Sequence, residues 1–134
     1  MSTEQVEALI CDWDKKQFNG KYFEMYAIVA DEKIVGTISL YQHSSEVVSI
    51  GPDVFCKFRR KGFAKEAAKA VRDWVFLNTQ YDIIYSYMKY TNVGSYSTAI
   101  ANGMQKVKEY PDPKNTIFYA YAITREEWKE MKEE

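Results

Sequence analysis

The chain has 134 residues, a net charge of −1 and 46% apolar side chains, with eleven tyrosines. That length suits one domain with a sizeable core, and the composition excludes a disordered chain. The balanced charge argues against a nucleic-acid partner, which calls for a broad basic excess, and no apolar run approaches the ~20 residues that cross a membrane.

Val6, Leu9, Ile10 and Trp13 fall at helical spacing, so residues 3–13 read as a short amphipathic helix. "YFEMYAIV" alternates as a strand, with Phe23, Met25, Ala27 and Val29 on one face. A polar turn at Asp31-Glu32-Lys33 leads into "KIVGTISLYQ", and "HSSE" turns again into "EVVSIGPDVFC". Proline cannot donate a ladder bond, so this third strand is expected to bulge or splay at Pro52. Next comes a helix whose buried stripe is Phe63, Ala67, Ala70 or Val71, and Trp74. "DIIYSYM" reads as a central strand, and "TNVGSYSTAIANG" as a helix capped by Thr91 or Asn92 and ended by Gly103. "QKVKEY", "PDPKN" and "TIFYAYAI" make a closing hairpin, and Thr124 with Glu127 forms a capping box ahead of a charged last helix. No repeat, low-complexity segment or linker interrupts this order, which describes one α/β domain over residues 1–134. The start "MSTEQVEALI" is too polar and acidic for a signal peptide. Cys11 and Cys56 stand in no metal or redox spacing. A reduced, cytoplasmic protein without a metal is the expectation.

The stretch "FCKFRRKGFAKEAAKAV" opens a helix with no Ser, Thr, Asp or Asn to cap it. Arg59, Arg60, Lys61 and Gly62 stand there instead, placing positive charge beside the helix's positive pole. Free N–H groups and the macrodipole both favour an anion at such a place, and glycine lets it come close to the backbone. Two readings stand side by side: a phosphate-bearing ligand as the missing cap, and a basic loop capped by water. Neither GxxxxGK[ST] nor GxGxxG occurs.

"RRKGFA" resembles the [R/Q]-x-x-G-x-[G/A] motif of the GNAT N-acetyltransferases. "IGPDVFCKFRRKGFAKEA" is similar to the strand, loop and helix of the branch that acetylates protein N-termini, such as those of ribosomal proteins. "NVGSYSTAIANGM" resembles the second signature and "AITREEW" the closing segment. In order, these cover residues 50–128, over half the chain. The resemblance implies the GNAT fold, a mixed and mostly antiparallel sheet flanked by helices, here with a shortened N-terminus.

It further implies acetyl transfer from acetyl-CoA to a primary amine, on a protein N-terminus or a small molecule, by direct attack in a ternary complex. The alternative is a non-catalytic acyl-CoA-binding or regulatory module. By the same resemblance, Val54, Phe55 and Cys56 run beside the pantetheine arm, with the Val54 N–H polarising the thioester carbonyl. Arg59, Arg60, Lys61, Gly62, Phe63 and Ala64 hold the phosphates, and Asn92 and Ser95 meet the arm from the second helix. Glu46 is a candidate base, although Val48 occupies the family's usual place. Ala99 replaces the family's acidic tyrosine, leaving Ser95, Tyr96, Tyr87 and Tyr90 as candidate proton donors. His43, the only histidine, reads as an exposed turn residue able to act as a base. Tyrosines including Tyr41, Tyr85 and Tyr87 line an aromatic acceptor cleft or are half-buried sheet residues. A homodimer through the hairpin or a sheet edge is compatible with the fold.

Overall fold

The computed structural model describes residues 9–10, 17–18, 21–111 and 113–132, with side chains from Glu24 onward. Six long strands carry the sheet: β3 (Lys21–Ala30), β4 (Lys33–Gln42), β5 (Val47–Val54), β6 (Ile83–Lys89), β7 (Gln105–Pro111) and β8 (Ile117–Thr124). Two-residue strands β1 (Leu9–Ile10) and β2 (Gln17–Phe18) both pair with β3, and the main path runs β1-β3-β4-β5-β6-β8-β7. Every pairing is antiparallel except β5 with β6. Among the described residues, three α-helices complete the fold: α1 (Phe63–Asn78), α2 (Val93–Ala101) and α3 (Arg125–Lys132).

Leu9 and Ile10 lie opposite Ala27 and Tyr26 in a strand pair. The helical spacing there does not decide the outcome: a free sheet edge offers backbone partners that a short isolated helix lacks. The rest of the expected first helix lies outside the described residues.

In β3 the deeply buried side chains are Glu24, Tyr26, Ile28 and Ala30, while Met25, Ala27 and Val29 are half-buried. Burial therefore favours the face opposite the one the alternating apolar residues mark. Ile28, Ile38, Leu40, Val48 and Ile84 belong to one apolar core with Ala67, Val71, Val75 and Phe76 of α1. Trp74 lies off that stripe and is 47% exposed, its place being taken by Val75 and Phe76.

Polar contacts fix the ends of the elements. Arg125 donates to the carbonyls of Phe76, Thr79 and Tyr81, closing the C-terminus of α1. The Thr124 N–H donates to Glu127 Oε1 at 2.9 Å and the Glu127 N–H to Thr124 Oγ1 at 3.2 Å, a reciprocal capping box. Gly103 ends α2 at φ 84°, the left-handed conformation that glycine adopts without penalty. The outer strand β7 carries a register irregularity between Lys106 and Lys108 and exposed lysines, features that discourage edge-to-edge pairing.

Candidate active site

The site begins with how β5 meets its two neighbours. The Phe55 N–H donates to the Val35 carbonyl at 2.8 Å, and the Val47 carbonyl accepts from the His43 N–H at 2.9 Å. Such bonds recur at every second residue of an antiparallel pair. Odd-numbered residues of β5 therefore turn their backbone groups to β4, and Val48, Ile50, Pro52 and Val54 turn theirs toward β6. Yet β6 accompanies β5 for three pairs only: Val47–Ile83, Val48–Ile84 and Ser49–Tyr85. The last pair engages the Ile50 N–H, and beyond it the two strands part.

Pro52 sits in this opening, in regular register with Ile38. The expected splay begins two residues before it and lies wholly on the β6 side. Its missing N–H faces the opening, so proline removes no bond from the β4 ladder. Val54 is left with the one strand N–H that β5 turns into the opening. Its carbonyl accepts from Arg59 Nε at 2.9 Å.

A single 3₁₀ turn, Cys56–Phe58, carries the chain from β5 toward α1. Arg60 has φ 65° and Gly62 φ 84°, so two left-handed residues fold the loop back on itself. Gly62 is the N-cap of α1 and provides no side-chain cap. The first-turn N–H groups of Phe63, Ala64 and Lys65 thus start the helix without internal partners. A Cβ built on Gly62 meets nothing within 4 Å, so the space in front of this helix end is open. The residues fit a phosphate-bearing cofactor: an uncapped positive pole, adjacent arginines and free space at the same point.

A cleft of about 780 Å³ joins the two features. Val54, Arg59, Arg60, Gly62, Phe63 and Ala64 line one side, and Asn92 and Ser95 line the other. Phe55, Cys56 and Lys61 stand outside the lining. Asn92 caps α2, its Oδ1 accepting from the Ser95 N–H at 3.1 Å. A second hollow of about 400 Å³, bordered by Leu40, Trp74 and Tyr81, contains no cationic side chain.

The remaining sequence candidates are scattered. Glu46 is exposed at the far end of β5, and its carbonyl accepts from the N–H groups of Asp82 and Ile83. At ~3.3 Å per residue, the eight positions to Val54 amount to roughly 26 Å. Tyr96 packs with Tyr119 and stacks on Tyr121, with ring centroids 6.0 and 6.4 Å away, and does not border the cleft. Ala99 is buried in the core. Tyr87 does reach the cleft, from β6.

His43 differs from the exposed turn residue expected. It is half-buried, its Nε2 lies 2.9 Å from Ser49 Oγ, and its ring meets Tyr41 and Tyr87 edge-on at 5.0 and 5.8 Å. Tyr87 also stacks on Tyr85 at 5.6 Å and contacts Tyr110 at 6.4 Å. Burial, followed by the neighbouring Tyr85 and Tyr110, raises the Tyr87 pKa above its ordinary value of 10.0.

Sequence reading passed over Gly36. A Cβ there would lie 2.8 Å from Val54 Cα and press on the Asp53 carbonyl, so β4 and β5 approach too closely for any side chain. A lone glycine inside a strand is the signal of such an approach. Thr98 also borders the cleft, and only the packing of α2 reveals it.

A sheet parted beside an uncapped, basic helix start offers a slot for an extended, phosphate-bearing ligand. Residues 1–105 match the family model of the acetyltransferase (GNAT) domain, and the chain belongs to that family. No curated protein matches it in sequence. Among solved structures it is similar to a GNAT-family acetyltransferase from Bacillus anthracis, with 24% identity, 78% of this chain and 66% of that chain covered, and a TM-score of 0.69. A ribosomal alpha-N-protein acetyltransferase, RimL, in complex with coenzyme A gives 15%, 77%, 62% and 0.72 in the same order. A spermidine N-acetyltransferase of Vibrio cholerae gives 12%, 82%, 70% and 0.74. The chain thus spans about two thirds of the length of these structures. They share its mixed α/β fold.

Proposed function

We propose that this protein is an N-acetyltransferase that uses acetyl-CoA and acetylates a primary amine by direct attack in a ternary complex. The observation that carries the reading is the alignment of one donor and one anion site along a single opening. The Val54 N–H faces the gap between β5 and β6, and the gap leads to the uncapped start of α1.

Acetyl-CoA supplies an activated acetyl thioester to this site. Arg59, Arg60 and Lys61 neutralise its phosphates, and the backbone N–H groups from Gly62 to Ala64 hold them. Phe55 and Cys56 support the strand end from outside the cleft, and Asn92 lines the same cleft as Val54. The Val54 N–H is placed to stabilise negative charge on an acyl oxygen. Ser95, in the cleft, is a proton carrier within reach of the same space. Glu46 enters a proton pathway only through intervening water, and Tyr96 supports Tyr121 by packing.

RimL and the spermidine enzyme, by their titles, act on a protein N-terminus and on a polyamine. Both acceptor classes belong in a first screen. A module that binds acyl-CoA without turnover is the second reading; the buried Ala99 and the absent N–H of Pro52 favour it.

Titration calorimetry with acetyl-CoA, 3′-dephospho-CoA and ATP tests the site. Acetyl-CoA is expected to bind selectively; affinity equal to that for ATP would reduce the loop to a generic basic patch. Acetyl-CoA consumption across peptide and polyamine acceptors then separates the enzyme from the module.

A further inference from the structure

The opening between β5 and β6 is short of hydrogen-bond donors. Ile50 spends its N–H on the last parallel pair with β6, and Pro52 has none to give. Along β5, only Val54 presents an N–H to a ligand lying there. Across the gap, Tyr87 stands two residues beyond Tyr85, the last partner of β5, and its side chain borders the same cleft as Val54 and Pro52.

Three rings hold Tyr87 in place. Tyr85 stacks on it nearly parallel, at an interplanar angle of 3°, while His43 and Tyr110 meet it edge-on. Tyr41 braces His43 from β4 at 5.0 Å. All these contacts are made by ring faces and edges, and the Tyr87 hydroxyl has no hydrogen-bond partner among the described residues. A half-exposed phenol clamped by its ring, with its hydroxyl unengaged, is a donor set for a ligand.

We infer that Tyr87 is the second donor of this site, supplying across the gap the hydrogen bond that Pro52 withholds and then a proton to the leaving thiolate. This assignment rests on the acetyltransferase reading above. As the amine nitrogen bonds to the acyl carbon and the C–S bond breaks, the electron pair of that bond leaves on sulfur. Tyr87 passes its hydroxyl proton to that sulfur. The amine nitrogen sheds one proton to water, and water reprotonates the Tyr87 phenolate. The upward shift of the Tyr87 pKa is consistent with this role, since the phenol stays protonated over the range in which amines lose their protons.

The test compares the full-length protein with Tyr87→Phe and with Tyr87→Phe combined with Pro52→Ala. The first readout is calorimetric affinity for coenzyme A and for its desulfo analogue. Tyr87→Phe is expected to weaken coenzyme A binding about tenfold while leaving desulfo-coenzyme A unchanged, as removal of a hydrogen bond to the sulfur requires. The second readout is turnover: kcat falls roughly a hundredfold, with KM for acetyl-CoA within about threefold of the parent. Pro52→Ala, which returns an N–H to the gap, recovers part of that loss. Equal weakening for both coenzymes, or unchanged kcat in a variant that binds acetyl-CoA, overturns the role of Tyr87 and leaves the acetyltransferase reading standing. Failure of the parent protein to bind acetyl-CoA overturns both.

Discussion

Gly62 combines a left-handed backbone with open space in front of the helix. Its φ of 84° is available to other residues only at a cost of about 1–2 kcal/mol, and the space where its Cβ would project is open. Gly62→Asp therefore separates stability from binding. The variant is expected to lose about 1 kcal/mol of folding stability in urea denaturation, yet to show no acetyl-CoA heat in calorimetry, because its carboxylate occupies the anion site. Undiminished affinity in a folded variant would remove the phosphates from this helix start. Pro52 shows the complementary case. Its missing N–H would break a ladder at an odd position of β5 and breaks none at an even one. The proline and the disruption it threatens are visible in the sequence. Which neighbour would have received the bond is decided by register, and register depends on turns and partners far along the chain.

Among the elements, α1 is held at both ends by different chemistry. Its start has no side-chain cap, whereas its C-terminal half is anchored to α2 and α3. Arg72, 3% exposed, donates to the Asn102 carbonyl at 2.9 Å and to Asp73. Asp73 also accepts from Trp128 Nε1 at 2.7 Å and from Lys132 Nζ at 3.2 Å. Burial pushes the Asp73 carboxyl up, but the bonds from Trp128, Arg72 and Lys132 outweigh it and hold the pKa below 3.8. The unfolded chain then binds the proton more tightly, so stability rises with pH through this group. Its contribution is complete above the unfolded value and disappears as pH falls through the lower folded one. Urea midpoints measured from pH 6 to pH 2 are expected to fall less steeply for Asp73→Asn than for the parent.

The helices whose boundaries rest on local chemistry were readable from the sequence alone. Asn92 caps α2, Gly103 ends it, and Thr124 with Glu127 opens α3. The long-range features were not readable. Leu9 and Ile10 carry a helical spacing but join a strand because β3 has an open edge. Tyr96, attractive as a donor by position, is held against Tyr119 and Tyr121 once β8 is in place. The uncapped, basic start of α1 was legible because its charge, glycine and missing cap are contiguous. Tyr87 was legible only as one of four candidate donors, and its place on the opposing wall was not, since a parallel pairing between strands separated by a whole helix leaves no local trace.

At the scale of the molecule, the sheet consists of two halves, β1 to β5 and β6 to β8, joined by three residue pairs. α1 lies against the first half, α2 contributes to the second, and the Arg72–Asn102 bond links the two helices. Such a sheet is a partly closed zipper, and a ligand arm in the opening adds the missing teeth. Occupation of the site should therefore be felt as mechanical joining of the halves as well as local contact. In hydrogen exchange, the Val54 amide is expected to exchange quickly in the free protein and slowly with acetyl-CoA. Protection should spread to β6, even where β6 touches no ligand. Saturation at a hundred times Kd would add about 2.7 kcal/mol to the unfolding free energy. A Val54 amide already protected without ligand would mean that the zipper is closed. On the proposed reading, the opening that admits the substrate is also a seam of the unliganded fold, and the supply of acyl donor would then help to set how long the protein lasts.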